Sequence, residues 1–123
     1  MKVLEFAFTA YPVTDMARAR AFYEGILGLV PCTVHDSEKG RWTEYELGAG
    51  TFCLGQAPGW TPFAEGPSIA LEVDDFDASI ALLREKGVAF AMEPLETPVC
   101  RMASIADPEG NAVLIHKRHP GHH

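Results

Sequence analysis

The chain is short of cysteine, short of positive charge, and has no long apolar run. Its three cysteines, Cys32, Cys53 and Cys100, are an odd number at wide spacings with no CxxC pair. That excludes a zinc knuckle or a disulfide framework and fits reduced thiols in a cytoplasm. Ten Lys and Arg against 17 Asp and Glu give a formal charge of −7, which repels a phosphate backbone and excludes nucleic acid as a partner. No apolar stretch is long enough to cross a bilayer, which excludes a membrane span. The opening "MKVLEFAF" is interrupted by Glu5 and lacks a small-residue cleavage site, so it reads as a strand and not as a signal peptide.

What remains is ordinary globular composition, 47% hydrophobic and 22% charged over 123 residues, enough for one domain with a real core. Period-2 and apolar runs predict strands at Val3–Ala10, Leu29–His35, Arg41–Leu47 and Thr51–Gln56. A second set follows at Ser68–Val73, Val88–Pro94, Arg101–Ile105 and Ala112–Lys117. Asp15 is placed to cap a first helix, with Met16, Ala19, Phe22, Tyr23 and Ile26 on one stripe and Gly28 beyond its end. Asp75 or Asp77 caps a second helix, with Phe76, Ile80 and Leu83 on one stripe and Gly87 as its stop.

Each half therefore reads strand–helix–strand–strand–strand, joined by the Pro- and Gly-rich segment Ala57–Pro67. A sixty-residue shift aligns Ala10 with Ala70, Val13 with Val73, Asp15 with Asp75 and Ala21 with Ala81. It also aligns Arg41 with Arg101, Gly50 with Gly110 and Leu54 with Leu114. A repeated unit unable to close its own core implies two copies packed together. The expected organisation is a single 1–123 domain: module 1 at 1–56, linker 57–67, module 2 at 68–118, tail 119–123.

Three stretches carry a family resemblance. "VTDMARARAFYEGILGLV" (Val13–Val30) resembles the first-helix signature of the vicinal-oxygen-chelate superfamily, which holds glyoxalases, bleomycin resistance proteins and extradiol dioxygenases. "IALEVDDFDASIALLREKGV" (Ile69–Val88) is similar to its second module, and "DPEGNAVLI" (Asp107–Ile115) to its closing hairpin. The resemblance implies an α+β fold of two βαβββ modules whose curved mixed sheets form a cleft. Modules of this family pair within or between chains, so a homodimer is expected.

In metal-dependent members, four cleft-facing residues on the first and last strands hold a divalent ion. Carried over, these positions are Phe8, Leu54, Ser68 and Leu114. Two leucines and a phenylalanine offer no lone pair and a neutral Ser hydroxyl is a poor ligand. The expectation is no metal and no cofactor; a slip of one residue adds only Cys53 as a strong ligand type.

Alternation gives the expected cleft lining: Phe6, Phe8, Ala10, Phe52, Leu54, Gln56, Ser68, Ala70, Ala112, Leu114 and His116, with Trp42, Glu44, Met102 and Ser104 from the third strands. Tyr45, Leu47, Ala103 and Ile105 then face the helices, with Cys53 packed beneath one. Phe8, Trp42, Phe52, Leu54, Ser68, Met102 and Leu114 are the candidate ligand-binding residues. Phe8, Leu54 and Leu114 alternatively just fill a core, and Trp42 either stacks on a flat ligand or anchors a dimer. Glu44 and His116 are the candidate acid–base pair, or else ordinary strand residues. Arg41 and Arg101 either clamp an anion or form a solvated edge pair. The tail "HKRHPGHH" reads as an unstructured end.

Two functions stay open. One is a protein without the usual metal that binds a small aromatic or amphipathic molecule, a cationic one suiting the acidic chain. The other is a lyase or dioxygenase-type enzyme with relocated metal ligands or a metal-free acid–base mechanism.

Overall fold

The computed structural model describes residues 1–121; His122 and His123, the end of the tail expected to be unstructured, lie outside the described residues. The chain forms two compact units, Met1–Pro62 and Phe63–His123. Each carries a four-stranded mixed sheet and a helix in βαβββ order, the α+β arrangement expected.

The first unit comprises β1 (Thr9–Pro12), α1 (Met16–Arg20), β2 (Pro31–Ser37), β3 (Gly40–Leu47) and β4 (Gly50–Gln56), ordered β1-β4-β3-β2 in the sheet. The Asp15 carboxylate accepts from the Arg18 amide at 3.1 Å, the cap its position predicts. After Arg20 the helix loosens into a π-helical run, Ala21–Ile26, where the Leu27 amide reaches back five residues to the Phe22 carbonyl. Gly28 then turns the chain at φ 76°.

One sheet face packs on this helix. Tyr45 and Phe52 are cross-strand partners, as are Thr43 and Leu54, and all four are buried. Tyr23 packs on Phe52 with centroids 5.2 Å apart, and Tyr11 meets the same ring edge-on at 5.3 Å. Burying each aromatic contributes on the order of 2 kcal/mol. A polar group anchors this core at one edge. The Tyr45 hydroxyl donates to Glu24 Oε2 at 2.8 Å, and Arg20 Nε donates to the same oxygen at 2.6 Å.

The second unit repeats the plan with β5 (Ile69–Glu72), α2 (Phe76–Glu85), β6 (Phe90–Glu96), β7 (Cys100–Ala106) and β8 (Ala112–Arg118), ordered β5-β8-β7-β6. Of the two cap candidates, Asp75 serves, accepting from the Ala78 amide at 3.0 Å. Asp77 instead pairs with Arg101. Phe76, Ile80 and Leu83 are buried, as are Ala103, Ile105, Val113 and Ile115 on the sheet.

Two sequence expectations need correction. The opening strand is Thr9–Pro12 and not Val3–Ala10, because its parallel pairing with β4 begins at Thr9 opposite Phe52. Val3, Leu4 and Phe6, without that ladder, are exposed. The tail is ordered at its start: the His119 amide donates to the Val99 carbonyl at 2.9 Å, and its Nε2 lies 3.1 Å from the Thr97 carbonyl.

Candidate functional site

The sheet face turned away from each helix is where the candidate residues were expected. In the first unit Trp42 and Glu44 occupy it, since Tyr45 and Thr43 beside them face α1. Phe8, just before β1, meets Trp42 edge-to-face with centroids 5.6 Å apart, a favoured aromatic geometry. The Trp42 indole N–H donates to Glu44 Oε2 at 2.7 Å. Phe8, Trp42 and Glu44 therefore form one contiguous group.

β4 does not follow the sequence reading. Phe52 and Leu54 lie on the helix face, and Cys53 and Gly55 take the far face, opposite Glu44 and Trp42 respectively. The cause is a difference in hairpin length. Four residues separate the cross-strand partners Glu46 and Thr51, whereas five separate their counterparts Ala106 and Ala112. A one-residue change of register moves every side chain of a strand to the opposite face. The match to Leu114 is thus Cys53 and not Leu54: Ala10 pairs with Cys53 as Ala70 pairs with Leu114. Cys53, expected beneath the helix, sits on the other side of its strand.

Two residues at this site were not singled out from the sequence, Gly55 and Trp60. A Cβ on Gly55 would lie 2.4 Å from Trp60 Cζ3 and 3.0 Å from Trp42 Cζ3, so the missing side chain is what lets two indoles close over the strand. Trp60 comes from the segment read only as linker. The tight "LGAG" hairpin at Leu47–Gly50 and a bare glycine within β4 were the signals available.

Cys53 is fully buried, and burial first, then the neighbouring Glu44 carboxylate and Cys32, pushes its thiol up to about 11. It is therefore neutral near pH 7, which makes it neither a good nucleophile nor a good ligand. The four positions to which the resemblance assigns a metal now read Phe8, Cys53, Ser68 and Leu114, and this donor set does not fit a divalent ion. Among the described residues no group of three or more His, Cys, Asp or Glu is arranged to hold one.

In the second unit the far face carries Ala70, Leu114 and Ser104 in one row, with Glu72, His116 and Met102 in the next. Exposed Ser68 lies one residue before β5. His116 Nδ1 lies 2.6 Å from Glu72 Oε1, and the Arg118 amide donates to Glu72 Oε2 at 2.8 Å. Burial pushes the Glu72 carboxyl up, but these two partners outweigh it and hold it below the usual range. Glu72 is the partner of His116 that the sequence reading missed. Glu44 and His116 belong to different units, each with its own local partner, Trp42 and Glu72.

A family model described as the Glyoxalase/Bleomycin resistance protein/Dioxygenase superfamily matches residues 5–115. Among solved structures, the chain is similar to TnmS3, an antibiotic binding protein from Streptomyces sp. CB03234, at 28% identity and a TM-score of 0.77, covering 97% of this chain and 99% of that one. It is also similar to a glyoxalase/bleomycin resistance protein from Streptomyces sp. CB03234, at 30% identity and TM-score 0.71, covering 90% and 98%. A glyoxylase/bleomycin resistance protein/dioxygenase domain from Frankia sp. EAN1pec shares the fold at 18% identity and TM-score 0.79, covering 99% and 97%. No curated protein matches the chain.

Proposed function

Because the chain belongs to the glyoxalase/bleomycin resistance protein/dioxygenase superfamily, we propose that it is a non-catalytic binder of small aromatic or amphipathic cations. The observation that carries this reading is the group Phe8–Trp42–Glu44 on the far face of the first sheet. Two aromatic faces offer stacking area and cation–π attraction, and the carboxylate beside them supplies charge complementarity. The description of TnmS3 as an antibiotic binding protein, at 28% identity over nearly the whole chain, supports a small-molecule ligand. Phe52 and Leu54, beneath the helix, leave the set of direct contacts in this reading and act as its support. On the second sheet, Ser68, Met102 and Leu114 are proposed as ligand contacts in their own right.

The proposal includes a cytoplasmic homodimer. A second copy of the chain would bury the exposed Val3, Leu4 and Phe6, and light scattering across a dilution series measures the assembly. Among the described residues no helix is long and apolar enough to cross a membrane.

Thermal-shift measurements with matched aromatic and aliphatic cations test the ligand class. Aromatic cations raise the melting temperature, and Glu44→Gln removes most of the shift. Equal responses to both sets, or none to either, would overturn the reading.

A second reading is favoured by the 2.6 Å His116–Glu72 contact. A histidine oriented by a carboxylate is the pairing used in metal-free acid–base chemistry. Turnover of an α-carbonyl substrate that vanishes in His116→Gln would establish that lyase-type alternative over binding alone.

A further inference from the structure

The internal repeat places Arg41 and Arg101 at the same station, each on the third strand of its sheet and each on the face that carries the helix. Their partners differ. Arg101 Nη2 donates to Asp77 Oδ1 at 2.9 Å, and its guanidinium carbon lies 4.5 Å from the centre of the Phe76 ring. Each helix starts one residue after its Asp cap, Asp15 or Asp75, so the counterparts of Phe76 and Asp77 are Met16 and Ala17. The first unit has neither the carboxylate nor the ring. Among the described residues, no hydrogen bond or ion pair engages the side chain of Arg41, nor that of Lys39.

Both cations line a cavity of about 470 Å³, within the range of small-molecule sites. Its wall is built from the β2–β3 turn at Ser37–Arg41, from Val13 and Thr14, and from the run Gln56–Thr61 that ends β4 and carries Trp60. Glu38 is the one carboxylate in the lining, so the cations outnumber it two to one. Thr14, Ser37 and Thr61 add hydroxyls, and Trp60 adds an aromatic surface.

We infer that this cavity is a binding site for a small organic oxyanion, a phosphate monoester or carboxylate, whose charge meets Arg41 and Lys39 and whose flat portion lies against Trp60. Asp36 lies opposite Arg41 on β2 but makes no ion pair with it, so the guanidinium keeps its fork of donors available to such an anion. The cavity shares Trp60 with the neighbouring Phe8–Trp42–Glu44 group but takes a ligand of opposite charge, and the Arg41 and Ala17 variants below test it apart from the proposed function.

Isothermal titration calorimetry of the full chain with phenyl phosphate and with inorganic phosphate provides the test. Phenyl phosphate binds saturably at one site and more tightly than inorganic phosphate, and the affinity falls as salt is raised. Arg41→Gln weakens it about tenfold, the loss of one charge-assisted contact. Ala17→Asp, which gives Arg41 the carboxylate its counterpart already has, weakens it comparably, while Arg101→Gln leaves it unchanged. The two weakening variants act by different means, so either decides the matter if the other unfolds. Absence of saturable binding in the parent chain, or equal affinity in parent and Ala17→Asp, would overturn the assignment.

Discussion

Cys53 and Leu114 hold the same station in their sheets, each beside the alanine of the leading strand, Ala10 or Ala70. They are separated by 61 positions, although the helices and third strands repeat at 60. That single extra step comes from the longer "ADPEGNA" hairpin, whose Asp107 accepts from the Glu109 and Asn111 amides at 2.9 and 2.8 Å. The β3–β4 hairpin lacks that step, so Phe52 and Leu54 fall on the helix face of β4 and Cys53 and Gly55 on the far face.

The aromatic cover over β4 depends on Gly55. Gly55→Ala forces the Trp60 ring away from the 2.4 Å approach its Cβ would make. Trp60 extends from a loop and can move, so the expected cost is that of modest overpacking, about 1–3 kcal/mol. Tryptophan emission shifts to the red as the indole gains solvent, and chemical denaturation measures the stability loss.

The Tyr45–Glu24–Arg20 group makes stability sensitive to acid. Tyr45 is fully buried, and its hydroxyl and Arg20 share one oxygen of Glu24. The hydrogen bond from Arg20 is the largest reason the Glu24 carboxyl sits below its ordinary value of 4.5, with that from Tyr45 adding to it. A folded value below the unfolded one contributes stability that is present above pH 4.5 and lost as pH falls through the folded value. Melting curves of parent and Glu24→Gln therefore differ at neutral pH and converge in acid. Tyr45→Phe, which removes only the donor, costs about 1 kcal/mol.

Thiol reactivity separates the three cysteines. Cys32 is exposed, whereas Cys53 and Cys100 are buried. With its thiol pushed up to about 11, Cys53 is ionised in only about one molecule in a thousand at pH 8. Native iodoacetamide labelling followed by peptide mass spectrometry finds Cys32 modified first, with Cys53 and Cys100 reacting only after denaturant is added.

Much of the fold was legible because local chemistry and tertiary packing agree. Asp15 and Asp75 cap as their positions suggest, and Tyr45, Ala103 and Ile105 face the helices as strict alternation requires. β4 was misread because its apolar content is nearly continuous: with Phe52, Cys53 and Leu54 in succession, alternation gives no phase. The sixty-residue shift then supplied a phase that the unequal hairpins contradict. Trp60 escaped notice because its Pro- and Gly-rich surroundings mark a connection, and composition does not say which way a connection's one large side chain folds. The fate of Arg41 was undecided between clamp and edge pair, since only the structure shows Asp77 occupying its counterpart.

The central claim is that aromatic and carboxylate side chains of the first sheet hold a cationic ligand with no metal involved. Its most direct measurement is calorimetric titration of metal-stripped protein with an aromatic cation, with EDTA present and with added divalent ions. The account gives one affinity under both conditions, reduced at least about tenfold by Trp42→Ala, a loss in keeping with an interface aromatic. Binding that appears only when a divalent ion is restored, and that survives Trp42→Ala, would contradict it.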